Sequence, residues 1–234
     1  MDIAIRKEYV KQNTEQFFEL RDPVSALTHF AGFVLAIIGM PVLLIRASEH
    51  GSGLASMVAY AVFSASMILL YGASAAYHSF NCSSKRLNRI LKKIDHISIF
   101  YLIAGSYTPV CIDVLRGRTG IILLCVIWGT AIAGTLFKAF WVYSPKWVSS
   151  VIYIAMGWAA ISVIDDLWLL LPRAAFGLLL AGGICYTLGG IIYAFRLQLF
   201  HNAWFGNHEL FHCLVLAGSL CHYIFIIKYV VLFG

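Results

Sequence analysis

The sequence predicts an all-α membrane protein, a bundle of seven transmembrane helices with its N-terminus cytoplasmic and its C-terminus outside. Three observations lead there. The 234 residues are 61% hydrophobic and only 12% charged, whereas a soluble domain is roughly half apolar and about a quarter charged. The apolar residues are gathered into seven runs, each near the ~20 residues that a bilayer crossing takes. Lysine and arginine are rich and poor by turns in the connections between those runs, as expected of loops that face alternate sides of a membrane.

The runs fall at 25–46, 53–79, 94–115, 119–140, 147–166, 174–195 and 209–232. In lipid each backbone N–H and C=O must be paired within its own segment, so runs of this length are helices. Pro41 and Pro109 lie inside the first and third, where neighbouring helices can satisfy the freed carbonyls. Gly182–Gly183 and Gly189–Gly190 in the sixth predict close helix contacts. The chain therefore divides into a cytoplasmic N-terminal segment, 1–24, and one compact membrane domain, 25–234. Residues 1–24 carry Arg6, Lys7, Glu8, Lys11, Glu15, Glu19, Arg21 and Asp22, too polar for a signal-peptide core. The first apolar run is thus expected to direct insertion.

Orientation follows from the basic residues. The N-terminal segment and the second, fourth and sixth connections hold twelve of the seventeen, including Lys85, Arg86, Arg89, Lys92, Lys93, Lys138, Lys146 and Arg196. The other side holds Arg46, Arg116, Arg118, Arg173 and Lys228. The richer side is expected to be cytoplasmic. The formal charge of +6 is thereby accounted for by membrane topology, and no nucleic-acid partner is predicted. A rhodopsin-type receptor has the opposite orientation, and the last run's one lysine, Lys228, lies too near its outer end to hold retinal. The six cysteines form no CxxC pair and predict neither a disulfide framework nor a thiolate zinc site.

Ionisable groups at membrane depth are costly and usually functional. His78 closes the second run; Asp95 and His96 open the third; His208 and His212 open the seventh. The topology brings all of them to the cytoplasmic side. His208 and His212, four residues apart, share one helix face, and a pair so placed can chelate one metal. Zinc prefers nitrogen and sulfur ligands, and a catalytic site keeps one position open. His78, His208 and His212 would supply three nitrogens, Asp95 would take a proton from water, and Ser74, one turn before His78, suits an oxyanion role. An interfacial histidine alone is ordinarily a hydrogen-bonded anchor; it is the convergence of three segments that favours a zinc site. His29 and His222 are read as structural, His50 and His201 as loop residues. His96 points about 100° away from Asp95 around the helix, and Asp165–Asp166 are read as a solvated helix end.

At these residues the chain resembles the haemolysin III family, the bacterial branch of the progestin and adiponectin receptor superfamily. The carriers are Ser74-xxx-His78; Ile94-Asp95-His96 followed by Gly105-Ser106-Tyr107-Thr108-Pro109; Ala155-Met156-Gly157-Trp158; and His208-xxx-His212-x9-His222. The resemblance implies seven helices with a cytoplasmic N-terminus and zinc near the inner leaflet, on three histidines that map onto His78, His208 and His212. It also implies that the carboxylate serving the water at the metal is Asp95 and that the family serine is Ser74. The similar residue set of the alkaline ceramidases implies zinc-dependent hydrolysis of a lipid amide or ester. Membrane lipids are the partners so expected, and the inner or plasma membrane the location.

Two rival readings stand beside this one. In the first, zinc staples the helices of a regulator or receptor of membrane lipid or energetic homeostasis, with Asp95 completing the shell. In the second, the chain is a pore-forming cytolysin, as the family name suggests. A conducting path needs polar groups through the membrane, whereas here they gather at one end.

Overall fold

The computed structural model describes residues 21–80, 84–195 and 205–234. Arg6, Lys7, Glu8, Lys11, Glu15, Glu19, Arg196 and His201, used above, lie outside the described residues, as does one of the six cysteines, Cys82. Among the described residues, seven helices are long and apolar enough to cross a membrane: α1 (Pro23–Glu49), α2 (Leu54–Ser79), α3 (Lys85–Leu115), α4 (Gly117–Phe140), α5 (Lys146–Leu170), α6 (Arg173–Phe195) and α7 (Asn207–Phe233). No strand occurs among the described residues. The protein is a seven-span, all-α membrane protein.

Each helix contains its expected run, save that α2 starts one residue inside its run, after Gly53. The largest difference is at α3, which begins at Lys85, nine residues before the apolar run. Ser84 caps this extension by accepting from Leu87 N at 3.4 Å, and the turns that follow are too charged to register as apolar. Helix α1 starts with Pro23 in its first turn, where the missing N–H costs nothing. It continues as helix through Pro41.

Three helices change pitch, α7 by ending in a 3₁₀ turn, Val230–Phe233. After Pro109, α3 widens into a π-helical turn, Val110–Leu115. Helix α5 is α-helical over Lys146–Gly157, tightens to 3₁₀ geometry over Trp158–Val163, and resumes as α-helix over Ile164–Leu170. The break is held by Tyr107, whose hydroxyl donates to Gly157 O at 2.5 Å and accepts from Ala160 N at 2.9 Å. Trp158 Nε1 donates to Thr187 Oγ1 on α6 at 2.8 Å.

The bundle closes as a ring. Helix α1 packs on α2 and α7, α2 on α3, α3 on α4 and α5, α5 on α6, and α6 on α7. In α3 and α2, 61% and 50% of the apolar window is buried, against 22–28% in the other five, so these two form the centre. Outward faces carry Leu27, Leu35, Ile38 and Ile45 on α1 and Ile121, Val126, Ile132 and Leu136 on α4, all exposed. Such a surface is unsuited to water and fits lipid.

The glycines of α6 divide their work. A Cβ on Gly182 would lie 2.3 Å from His222 Cδ2 on α7, and one on Gly190 would lie 3.0 Å from Ile154 on α5. Gly189 meets Phe211 of α7 at 3.3 Å. Gly183 meets nothing within 4 Å and lines a cavity instead, so it is not the contact its pairing with Gly182 predicts.

Candidate metal centre

The start of α1, the end of α2, the start of α3 and the start of α7 meet at one end of the bundle. His78, His208 and His212 each turn a ligand atom to a common point, all within 4.8 Å of one another. His78 Nε2 and His208 Nε2 stand 3.3 Å apart. Two nitrogens at ~2.05 Å from one tetrahedral ion are about 3.3 Å apart, so this pair already has the required spacing. His78 and His212 are buried, at 4% and 2% exposure.

The opposite ring nitrogens are engaged. His78 Nδ1 donates to Asp22 Oδ2 at 2.9 Å, and His212 Nδ1 donates to Ser25 O at 3.3 Å. With the proton on Nδ1 in both rings, Nε2 keeps its lone pair for a cation. Asp22 is further tied to the end of α2 by its N–H, which donates to His78 O at 3.0 Å. Helix α7 is positioned by Glu209, whose carboxylate accepts from Gly206 N at 2.9 Å and from Ser25 Oγ at 2.9 Å. That bridge joins the first turns of α1 and α7, and so sets His212 against Ser25.

His29 backs the cluster. Its ring stacks on His212 with centroids 3.7 Å apart and planes 13° apart, and it meets Tyr71 edge-on at 5.1 Å. Both its ring nitrogens are buried without a hydrogen-bond partner. Asp95 is buried beside the histidines, facing Ser74, His78 and His96. His96 Nδ1 stands 3.2 Å from Asp95 Oδ2. Ser74 is 2% exposed.

His29, Ser74, His78, Asp95, His208 and His212 open on one cavity of ≈ 380 Å³. It leaves the histidines and passes between α2, α3, α5, α6 and α7, reaching Leu115, Leu167 and Phe176 near the other end. Past Asp95 its walls are mostly aliphatic and aromatic, with Leu70, Leu102, Ile103, Leu179 and Val215 among them. Near the histidines stand Arg21, Lys92 and Lys146, lying 4.5, 4.6 and 4.3 Å from the ring centres of Tyr77, Tyr143 and Tyr193. Cations resting on tyrosines are characteristic of a membrane interface.

The donor set fits a transition metal: three converging imidazoles, two of them fixed by hydrogen bonds on their far nitrogens. The five residues singled out from the sequence all meet here. Sequence reasoning did not find Asp22, which lies just before α1 among other charged residues. The one available signal was its place at the end of the polar segment, next to a helix-starting proline. His222 bonds another helix as expected, its Nε2 lying 3.3 Å from Leu179 O. His50 caps α1 with Nδ1 2.9 Å from Arg46 O, and Asp165–Asp166 are exposed.

A family model described as Haemolysin-III related matches residues 17–223, which include every residue of this centre. The chain belongs to the haemolysin III family. It is 38% identical to Hemolysin-3 of Bacillus cereus, over 91% of this chain and 93% of that protein. It is 36% identical to the Hemolysin-3 homolog of Bacillus subtilis (strain 168), over 92% and 97% of the two chains. A more distant relative is the Adiponectin receptor protein of Drosophila melanogaster, 25% identical over 83% of this chain and 46% of that one. The haemolysin III chains thus join the wider progestin and adiponectin receptor superfamily, as multi-pass membrane proteins; in bacteria their membrane is the plasma membrane.

The motifs that carry the family likeness have structural reasons. Gly105 admits Ser66 of α2, whose Oγ would lie 2.3 Å from a Cβ there. Tyr107 holds the break after Gly157, and Trp158 anchors it to α6.

Proposed function

We propose that the protein is a zinc-dependent hydrolase of a lipid amide or ester, working at the cytoplasmic leaflet. The observation that carries this reading is the single cavity that joins the three-histidine cluster to a long apolar channel. Zinc is the metal that suits three imidazoles with a fourth position left open. Bound there, it would polarise a carbonyl and lower the pKa of water to about 7.

The chain's own residues supply the rest. The apolar walls below Asp95 take an acyl chain and exclude water, which sets the scissile carbonyl at the histidine end. Asp95, buried beside Ser74 and His78, accepts the proton of the attacking water and returns it to the leaving group. Ser74 donates its hydroxyl to the developing oxyanion. Asp22 and Ser25 O hold His78 and His212 in one tautomer. Arg21, Lys92 and Lys146, at the same end, support a reaction at headgroup depth.

The test is fatty-acid release from lipid amides and esters by detergent-purified protein, with Asp95→Asn and Ser74→Ala beside wild type. Turnover that Asp95→Asn lowers by about 100-fold or more, with zinc content unchanged, supports the reading. A zinc-loaded wild type that releases nothing from either class would refute hydrolysis and leave zinc as a staple of α2 and α7.

A further inference from the structure

A second polar site lies at the other end of the bundle, where the mechanism above uses nothing. Asp113 sits in the π-helical turn of α3, 18 residues and about 27 Å along the helix from Asp95. Its side chain is 2% exposed. Oδ1 accepts from Ser56 Oγ at 2.6 Å, a length typical of hydroxyl bonds to an ionised carboxylate. Oδ2 is buried and has no hydrogen-bond partner, and Ser52 Oγ is likewise buried and unpartnered. Tyr60, fully buried, stands beside both Asp113 and Ser52. Its hydroxyl also reaches Val230 O on α7, 3.5 Å away.

No Lys, Arg or His among the described residues forms an ion pair with this carboxylate. Arg116, three residues on, directs its guanidinium to backbone carbonyls: Nε donates to Asp113 O at 2.8 Å, and Nη2 donates to Phe233 O. An ionised carboxylate at membrane depth without an ion-pair partner is costly, and its own Oδ2 and the neighbouring Ser52 Oγ lack a hydrogen-bond partner.

We propose that Asp113, Ser56, Ser52 and Tyr60 form a binding site for a monovalent cation, sodium, between the outer ends of α2, α3 and α7. The donors are all oxygen, which selects a hard cation over the nitrogen-seeking metal of the histidine end. Only one donor is charged, so a monovalent ion leaves the site neutral, whereas a divalent ion leaves a net positive charge in an apolar surround. The π-turn is what aims Asp113 inward; such turns recur at functional sites. An ion there ties together the far ends of helices that also carry His78, Asp95 and the two histidines of α7.

The experiment is thermal unfolding of the full chain in detergent, in sodium chloride against choline chloride at equal ionic strength. Sodium is expected to raise Tm by about 4 °C in a saturable way. Asp113→Asn and Ser56→Ala each flatten that response, while His208→Ala preserves it. Identical Tm in sodium and choline for wild type would overturn the proposal, since Asp113 would then carry a proton instead. A sodium response undiminished in Ser56→Ala would overturn it equally, even if Asp113→Asn does not fold.

Discussion

Replacing Asp22 tests the tautomer argument at the point where the sequence was silent. The carboxylate makes one hydrogen bond to the histidine cluster, 2.9 Å from Oδ2 to His78 Nδ1. His78 is 5% exposed at its side chain, but Asp22 is 41% exposed, so water screens part of the charge. Loss of an outer hydrogen-bond partner to a metal-ligating histidine typically lowers metal affinity about 10–100-fold. The exposure places Asp22→Ala in the lower half of that range, about 10–30-fold. Asp22→Asn keeps an oxygen able to accept from Nδ1 and is expected to cost about 3-fold, because only the charge assistance is lost. The assay is zinc affinity by competition against a chromogenic chelator, on detergent-purified wild type and both variants. His78→Ala sets the scale for complete loss of a ligand. Wild-type affinity in Asp22→Ala would refute the view that this carboxylate orients His78. A larger loss in Asp22→Asn than in Asp22→Ala would refute the reasoning about which ring nitrogen carries the proton.

Two further predictions concern the frame that holds the site. Tyr107→Phe removes one donated and one accepted hydrogen bond at the break in α5, which should cost about 2 kcal/mol and lower Tm by about 4–8 °C, read by thermal unfolding. Gly182→Ala forces a Cβ to within 2.4 Å of two atoms of the His222 ring and 3.1 Å of Gly218 O. It should destabilise by about 1–3 kcal/mol, whereas Gly183→Ala, facing open space, should leave Tm within about 2 °C of wild type.

How much of this was readable from the sequence depended on whether the signal was local. The seven helices were, because a bilayer demands long apolar runs and little else in 234 residues can supply them. His208 and His212 were, because a four-residue spacing on a helix is a geometric statement. His78 and Asp95 joined them once alternating topology put the end of one run and the start of the next on the same side. The start of α3 was not legible, since a hydropathy pattern passes over helical turns that carry Lys85, Arg86, Arg89, Lys92 and Lys93. The bond from Asp22 to His78 spans 56 residues and involves an aspartate in a stretch full of charges. The stacking of His29 on His212, and the gathering of Asp113, Ser56 and Tyr60, likewise arise from helix rotations that no spacing encodes. Pro109 signalled a disturbance in α3, but whether it would kink, tighten or widen the helix was set by packing around it.

The central claim is that three histidines from α2 and α7 hold zinc. Elemental analysis of the detergent-purified protein, wild type beside His208→Ala and His212→Ala, tests it most directly. The account predicts about one zinc per chain in wild type and none in either variant. A well-folded wild type that holds no zinc after incubation with it, or variants that retain the full complement, would contradict it.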